Sequence, residues 1–154
     1  MRIRKAEPGD AEAMSSVLTA SIAELCVPDH GGLPANIERW TSNKTPENVR
    51  AWIADPASRV LVVEDGGEIV CVGSFAGPEV LLNYVKPSAR FRGASKALLA
   101  HMEQEMRDQG VAEARLTSTA TAHRFYRASG WTDAGEPGKM FGIAKAHPMR
   151  KQLS

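Results

Sequence analysis

The chain has 154 residues, is 43% hydrophobic and 24% charged, and carries a formal net charge of +1. That length suits one domain with its own core, read as residues 1–154, and the near-neutral charge excludes a global field steering the chain to nucleic acid or a membrane surface. No apolar stretch approaches a membrane span and the basic start Met1-Arg2-Ile3-Arg4-Lys5 lacks the apolar region of a secretion signal, so a cytoplasmic protein is expected, with Cys26 and Cys71 as buried free thiols.

Residues 2 to 6 read as a strand, and Pro8-Gly9-Asp10 as a turn whose Asp10 caps a helix. Met14, Val17, Leu18, Ile22 and Leu25 then recur at helical spacing and give one apolar stripe. Residues 27 to 44, with Pro28, Gly31, Gly32 and Pro34, read as irregular. Thr45-Pro46-Glu47 starts the next helix, and Asp55-Pro56 ends it. Arg59 to Glu64 and Glu68 to Phe75 flank Asp65-Gly66-Gly67, the signal of a hairpin. Gly77-Pro78 turns the chain into a third extended run, Glu79 to Val85.

Beyond Lys86-Pro87 and a basic loop, residues 97 to 109 read as a helix, with Leu98, Met102 and Met106 on one face, Glu103 beside Arg107 on the outer side, and Gly110 as its stop. Residues 112 to 118 alternate as a strand, and a short helix from Thr121 to Ser129 is closed by Gly130. From Trp131 the chain is strand-like, interrupted by Gly135-Glu136-Pro137-Gly138, and the last strand runs from His147 or Pro148 to Leu153. The order β-α-α-β-β-β-α-β-α-β-β specifies an α/β protein with a mixed sheet.

The loop Arg90-Phe91-Arg92-Gly93-Ala94-Ser95-Lys96 carries most of the chemistry. A strand, a basic loop with glycine and then a helix start suit a phosphate group, because N–H groups at a helix N-terminus have no intrahelical partner and Gly93 admits close approach. No acidic residue lies between Glu79 and Glu103, whereas Lys86, Arg90, Arg92 and Lys96 all do. The plain alternative is a basic loop with Ser95 as helix cap. Neither a P-loop nor a dinucleotide fingerprint is present. Nucleic-acid binding by the same cations and Phe91 would be steeply salt-dependent, and the near-neutral charge disfavours it.

Two motifs carry a family resemblance. Arg90-x-x-Gly93-x-Ser95, preceded by Tyr84-Val85-Lys86-Pro87, resembles the Gln/Arg-x-x-Gly-x-Gly/Ala pyrophosphate loop of the GNAT superfamily of acyl-CoA N-acyltransferases. Thr121 to Trp131, containing Phe125-Tyr126 and Gly130-Trp131, resembles that family's Ala-x-x-Phe-Tyr-x-x-x-Gly-Phe/Trp segment. Ser95 departs from the family's small Gly/Ala, and Thr119 from a common asparagine. The resemblance implies a three-layer α+β fold: a mixed, mostly antiparallel sheet of six to seven strands, flanked by about four helices, with strands four and five splayed.

It further implies acetyl-CoA as co-substrate, no metal, and a primary amine of a small molecule or peptide as acceptor, with homodimers through the C-terminal strands common in the family. The coenzyme would be held by Tyr84, Val85, Arg90, Phe91, Arg92, Gly93, Ala94, Ser95 and Lys96, with the Val85 N–H on the thioester carbonyl and the arm lying between Asn83-Tyr84-Val85 and Thr117-Ser118. Tyr126 is the candidate acid, its plain alternative being a core aromatic on the stripe Ala122, Phe125, Tyr126 and Ser129. Glu79 is the candidate base, its alternative a solvated strand-start residue. Acceptor choice is expected from residues 26 to 44, through Cys26, Asp29, His30, Glu38 and Trp40. Cys26-x-x-Asp29-His30 offers too few ligands for a metal, and His101 and His123 read as surface or cap residues. A reading from another class is a catalytically silent acyl-CoA-binding regulatory module on the same fold.

Overall fold

The computed structural model describes residues 1–140 and 143–154. Strand β1 (Arg2–Lys5) leads through a 3-10 turn (Pro8–Asp10) into helices α1 (Ala11–Leu25), α2 (Val27–His30), α3 (Pro34–Thr41) and α4 (Pro46–Ala54). Strands β2 (Arg59–Asp65), β3 (Glu68–Ala76) and β4 (Glu79–Val85) follow as a meander. Helix α5 (Ala94–Asp108), β5 (Glu113–Ser118), α6 (Ala120–Ala128), β6 (Thr132–Asp133), β7 (Gly138–Met140) and β8 (Ile143–Gln152) complete the order. The sheet runs β1-β2-β3-β4-β5-β8-β6 with β7 paired to β8, so the described residues hold eight strands and six α-helices.

The apolar run in β2 explains the layering. Val60 and Val62 pack with Met14, Val17 and Leu18 of α1 and Val49 of α4, whereas Leu61 and Val63 pack with Leu98, Leu99, Met102 and Met106 of α5. A strand buried on both faces needs helices on both faces, and a three-layer fold results. A Cβ on Gly73 of β3 would come within 2.8 Å of Leu98 Cδ2, so α5 lies directly on the sheet there. At the β2–β3 hairpin Gly66 and Gly67 have φ of 61° and 81°, the pair of positive values that a two-residue type I′ turn requires.

Several local expectations are revised. Residues 27 to 44 hold α2 and α3 rather than irregular chain, because Pro28 and Pro34 sit in first helical turns, where a missing N–H costs nothing. Asp10 does not cap α1 with its side chain; its carboxylate takes two bonds from the Arg4 guanidinium, at 2.7 and 3.0 Å. Glu103 is buried rather than outer, drawn inward by Trp131 Nε1 at 3.2 Å and Lys151 Nζ at 2.7 Å. The last strand starts at Ile143, ahead of His147, because its first residues pair with β7. Phe141 and Gly142 of the strand-like stretch lie outside the described residues. Thr45 accepts from Asn48 N at 3.2 Å, the expected cap of α4.

What positions the site is one irregularity in the sheet. Among the described residues only β4 and β5 pair in parallel, through Glu79 with Arg115 and Val80 with Leu116. Beyond Val80 the two strands part, as the splay expected of strands four and five requires.

Candidate functional site

A cleft of about 440 Å³ opens where β4 and β5 part. Its walls come from β4 and β5, the loop before α5 and its first turn, the end of α1, and one face of α6. Lys86 N donates to Val70 O at 2.7 Å, and the β3–β4 register opposes Val72 to Tyr84 and Cys71 to Val85. Ladder bonds alternate along an antiparallel pair, so Leu82, Tyr84 and Lys86 spend their N–H groups on β3. The N–H groups of Asn83 and Val85 therefore point away from β3, into the gap that β5 has left.

The basic loop forms the second wall. Gly93, at φ 81°, occupies the cap position of α5, and no side chain caps that end. The Ala97 N–H bonds Gly93 O at 3.0 Å, which leaves the N–H groups of Ala94, Ser95 and Lys96 with no acceptor in the preceding turn. Ser95 lies inside the helix rather than at its cap, with its hydroxyl 4.0 Å from Cys71 Sγ. Phe91 takes a left-handed φ of 67° and is 90% exposed, with the Arg90 guanidinium 4.6 Å from its ring centre. Of the sequence candidates, Tyr84, Val85, Arg90, Phe91, Gly93, Ala94, Ser95 and Lys96 all line the cleft. Arg92 does not; it turns to Asp65 at 3.7 Å, and Lys86 pairs with Glu68.

Tyr126 lines the same cleft from α6, 6% exposed and edge-on to Phe125 and Trp131. Burial pushes its phenol up to about 12, and the nearby side-chain amide of Asn83 opposes that rise. Asn83 Oδ1 itself is buried and unpartnered among the described residues. In the sequence Asn83 stands only as a border of the gap, and its signal is an amide in the otherwise apolar run Val80-Leu81-Leu82-Asn83-Tyr84-Val85. Glu79 is not brought to this site: it is exposed, opposite Arg115, and outside the cleft lining.

Most residues expected to choose the acceptor do not line this cleft. Among residues 26 to 44 only Cys26 lines the cleft, joined by Ser21 and Leu25 of α1. Burial, with the nearby Asp29 charge, pushes the Cys26 thiol up to about 12, so it stays neutral. Asp29 is buried and caps α6, accepting from Ala120 N at 2.6 Å, Thr121 N at 3.1 Å and the Thr121 hydroxyl. Thr119, at the cap of α6, accepts from Ala122 N at 3.0 Å. His30 is buried with both ring nitrogens engaged, at 2.8 Å to Ile22 O and 2.9 Å to Gly32 N. Trp40 is buried with Ile22 and Cys26, and Glu38 is exposed.

His101 bonds Glu105 at 2.6 Å on α5. His123 bonds Asp133 at 2.6 Å and stacks on His147, with ring centres 4.0 Å apart and planes 11° apart. These three side chains bring ligand atoms within 4.8 Å of one another, a grouping invisible in the sequence because α6, β6 and β8 supply one member each. Imidazole lone pairs lie in the ring plane, so two nearly parallel rings do not aim theirs at a common point.

Residues 26–153 match the profile of a family described as an acetyltransferase (GNAT) domain. No curated protein matches the chain. Among solved structures, the GCN5-related N-acetyltransferase of Rhodopseudomonas palustris superposes with a TM-score of 0.86 at 20% identity, covering 98% of this chain and 94% of that one. The PaiA N-acetyltransferase of Thermoplasma acidophilum, solved with coenzyme A, gives 0.81 at 21% identity over 98% of both chains. An N-acetyltransferase of Staphylococcus aureus gives 0.76 at 17% identity, over 99% of this chain and 98% of that one. At such identities the structural likeness speaks for the fold. No helix among the described residues is long and apolar enough to cross a membrane.

Proposed function

Because the chain belongs to the acetyltransferase (GNAT) domain family, we propose that it moves an acetyl group from acetyl-CoA to a primary amine by direct attack in a ternary complex. The observation that carries this reading is the pairing of an uncapped helix start at Gly93 with a parted β4–β5 gap in one cleft. The N–H groups of Ala94, Ser95 and Lys96 present partial positive charge, and Arg90 and Lys96 add full charges, a donor set that fits a diphosphate. The gap accepts the extended arm, and the Val85 N–H polarises the thioester carbonyl as negative charge builds on its oxygen. One such backbone donor is worth roughly 3 kcal/mol of barrier.

Tyr126 supplies the proton that the departing sulfur needs as the C–S bond breaks. A phenol raised to about 12 is fully protonated before that step, and the Asn83 amide steadies the ring oxygen as the proton leaves. The amine nitrogen forms the new C–N bond and sheds one proton, which restores the phenol, directly or through water, so the products are the N-acetylated amine and free coenzyme A. Glu79, exposed and outside the cleft lining, takes no part in this transfer. A Glu79→Gln enzyme is expected to keep the wild-type pH–rate profile, and a lost limb in that profile would return the carboxylate to the mechanism.

Calorimetric titration with coenzyme A tests the reading as a whole. Saturable binding is expected, and Arg90→Ala should raise Kd by about tenfold, the worth of a charge-assisted hydrogen bond. Absent heat, or an Arg90→Ala affinity equal to wild type, counts against the cleft as the coenzyme site.

A further inference from the structure

Resting on the acetyltransferase reading, we infer that Phe91 is the platform on which the adenine base of the coenzyme stacks, and that this contact selects a nucleotide-bearing acyl donor over the same pantetheine arm carried on a protein. Phe91 is the most exposed large apolar side chain among the described residues, yet it lines the cleft. It is also the one non-glycine residue among them with a positive φ. A bulky residue is strained in that conformation, and surrounding structure normally holds it there. At 90% exposure the fold barely packs against this ring, and the Arg90 guanidinium over it comes from the next residue in the chain. A strained, uncovered aromatic at the rim of a site is accounted for by a guest that covers it.

The position of the ring fixes the occupant. Coenzyme A has two ends joined by a diphosphate. With the diphosphate on the N–H groups of Ala94, Ser95 and Lys96, the arm runs inward to the β4–β5 gap. The adenosine end then leaves outward, past the residues just ahead of Gly93. Phe91 stands two residues ahead of Gly93 and faces solvent at the rim. A flat, uncharged base suits a phenyl face, and the Arg90 guanidinium at that ring adds a cation–π share while its charge suits the adjoining phosphates. Asp65 and Glu68 of the β2–β3 hairpin, the carboxylates beside this loop, are each met by a cation, Arg92 and Lys86. A carrier protein presents the same arm with no base and leaves the ring without a stacking partner.

Calorimetry on the whole chain tests this with two probes, each titrated to saturation: coenzyme A, and 4′-phosphopantetheine, which keeps the arm and one phosphate but lacks the adenosine. Phe91→Ala is expected to weaken coenzyme A by about tenfold and to leave 4′-phosphopantetheine within about twofold of wild type. Phe91→Trp keeps a π face and should hold coenzyme A within about twofold of wild type. Phe91→Gly removes the ring and the backbone strain together, so its melting temperature should match or exceed wild type while coenzyme A affinity falls as in Phe91→Ala. Unchanged coenzyme A affinity in Phe91→Ala, a loss shared equally by 4′-phosphopantetheine, failure of Phe91→Trp to hold the affinity, or a lowered melting temperature in Phe91→Gly would each overturn the inference and leave the acetyl-CoA site standing. So would a higher kcat/KM with an acetylated carrier protein than with acetyl-CoA. Absence of coenzyme A binding to the wild type would overturn the acetyltransferase reading itself.

Discussion

Tyr126→Phe is expected to lower kcat by roughly 100-fold, the usual worth of a positioned general acid. The ring stays, so its edge-on contacts with Phe125 and Trp131 stay, and only the hydroxyl facing the cleft is lost. The KM for acetyl-CoA should therefore hold within about twofold, since the phenol matters as the C–S bond breaks and not in the ground state. The pH dependence has a definite sign. With its phenol raised to about 12 the wild type keeps its acid protonated, so kcat shows no alkaline loss up to about pH 10. Steady-state kinetics on a variant whose melting temperature matches wild type decides the matter. An undiminished kcat would reduce Tyr126 to a core aromatic.

The second large effect is on stability and comes from Asp29. This carboxylate reaches over from α2 to satisfy the first N–H groups of α6, the helix that carries Tyr126. Asp29→Ala would leave Ala120 N, Thr121 N and the Thr121 hydroxyl without their protein acceptor. The expected loss is about 2 kcal/mol, the upper end of a helix cap's worth because one carboxylate serves three donors. Asp29→Asn retains one oxygen acceptor and should recover part of it. Urea unfolding of the three proteins measures both, and a loss under about 0.5 kcal/mol for Asp29→Ala would show that the cap is dispensable.

Asp29 also illustrates where sequence reasoning ran out. Strands with strong apolar runs, the Thr45 cap, the double-glycine hairpin and the order of the main elements, α2 and α3 apart, were legible because each is set by neighbours in the chain. So was the loop around Gly93, where charge and glycine spell out their own chemistry. Asp29 and His30 read as loop residues open to a ligand because their partners lie in α6 and in a backbone carbonyl of α1. Arg92 read as one more phosphate cation, and only the fold turns it to Asp65 in the β2–β3 hairpin. Glu103 read as a surface partner for Arg107 until Trp131 and Lys151 closed over it. In each case the deciding contact spans a distance along the chain that no local pattern encodes.

The short parallel pairing of β4 with β5 makes the sheet a panel with a seam. Two residue pairs, Glu79 with Arg115 and Val80 with Leu116, join the strands, and Arg115 N adds a bond to Pro78 O at 2.8 Å. Across the rest of that line the halves are clasped from outside, by Asp29 on α6 and by Glu103 of α5 on Trp131 and Lys151. A long thin guest lodged in that seam would rivet the two halves together.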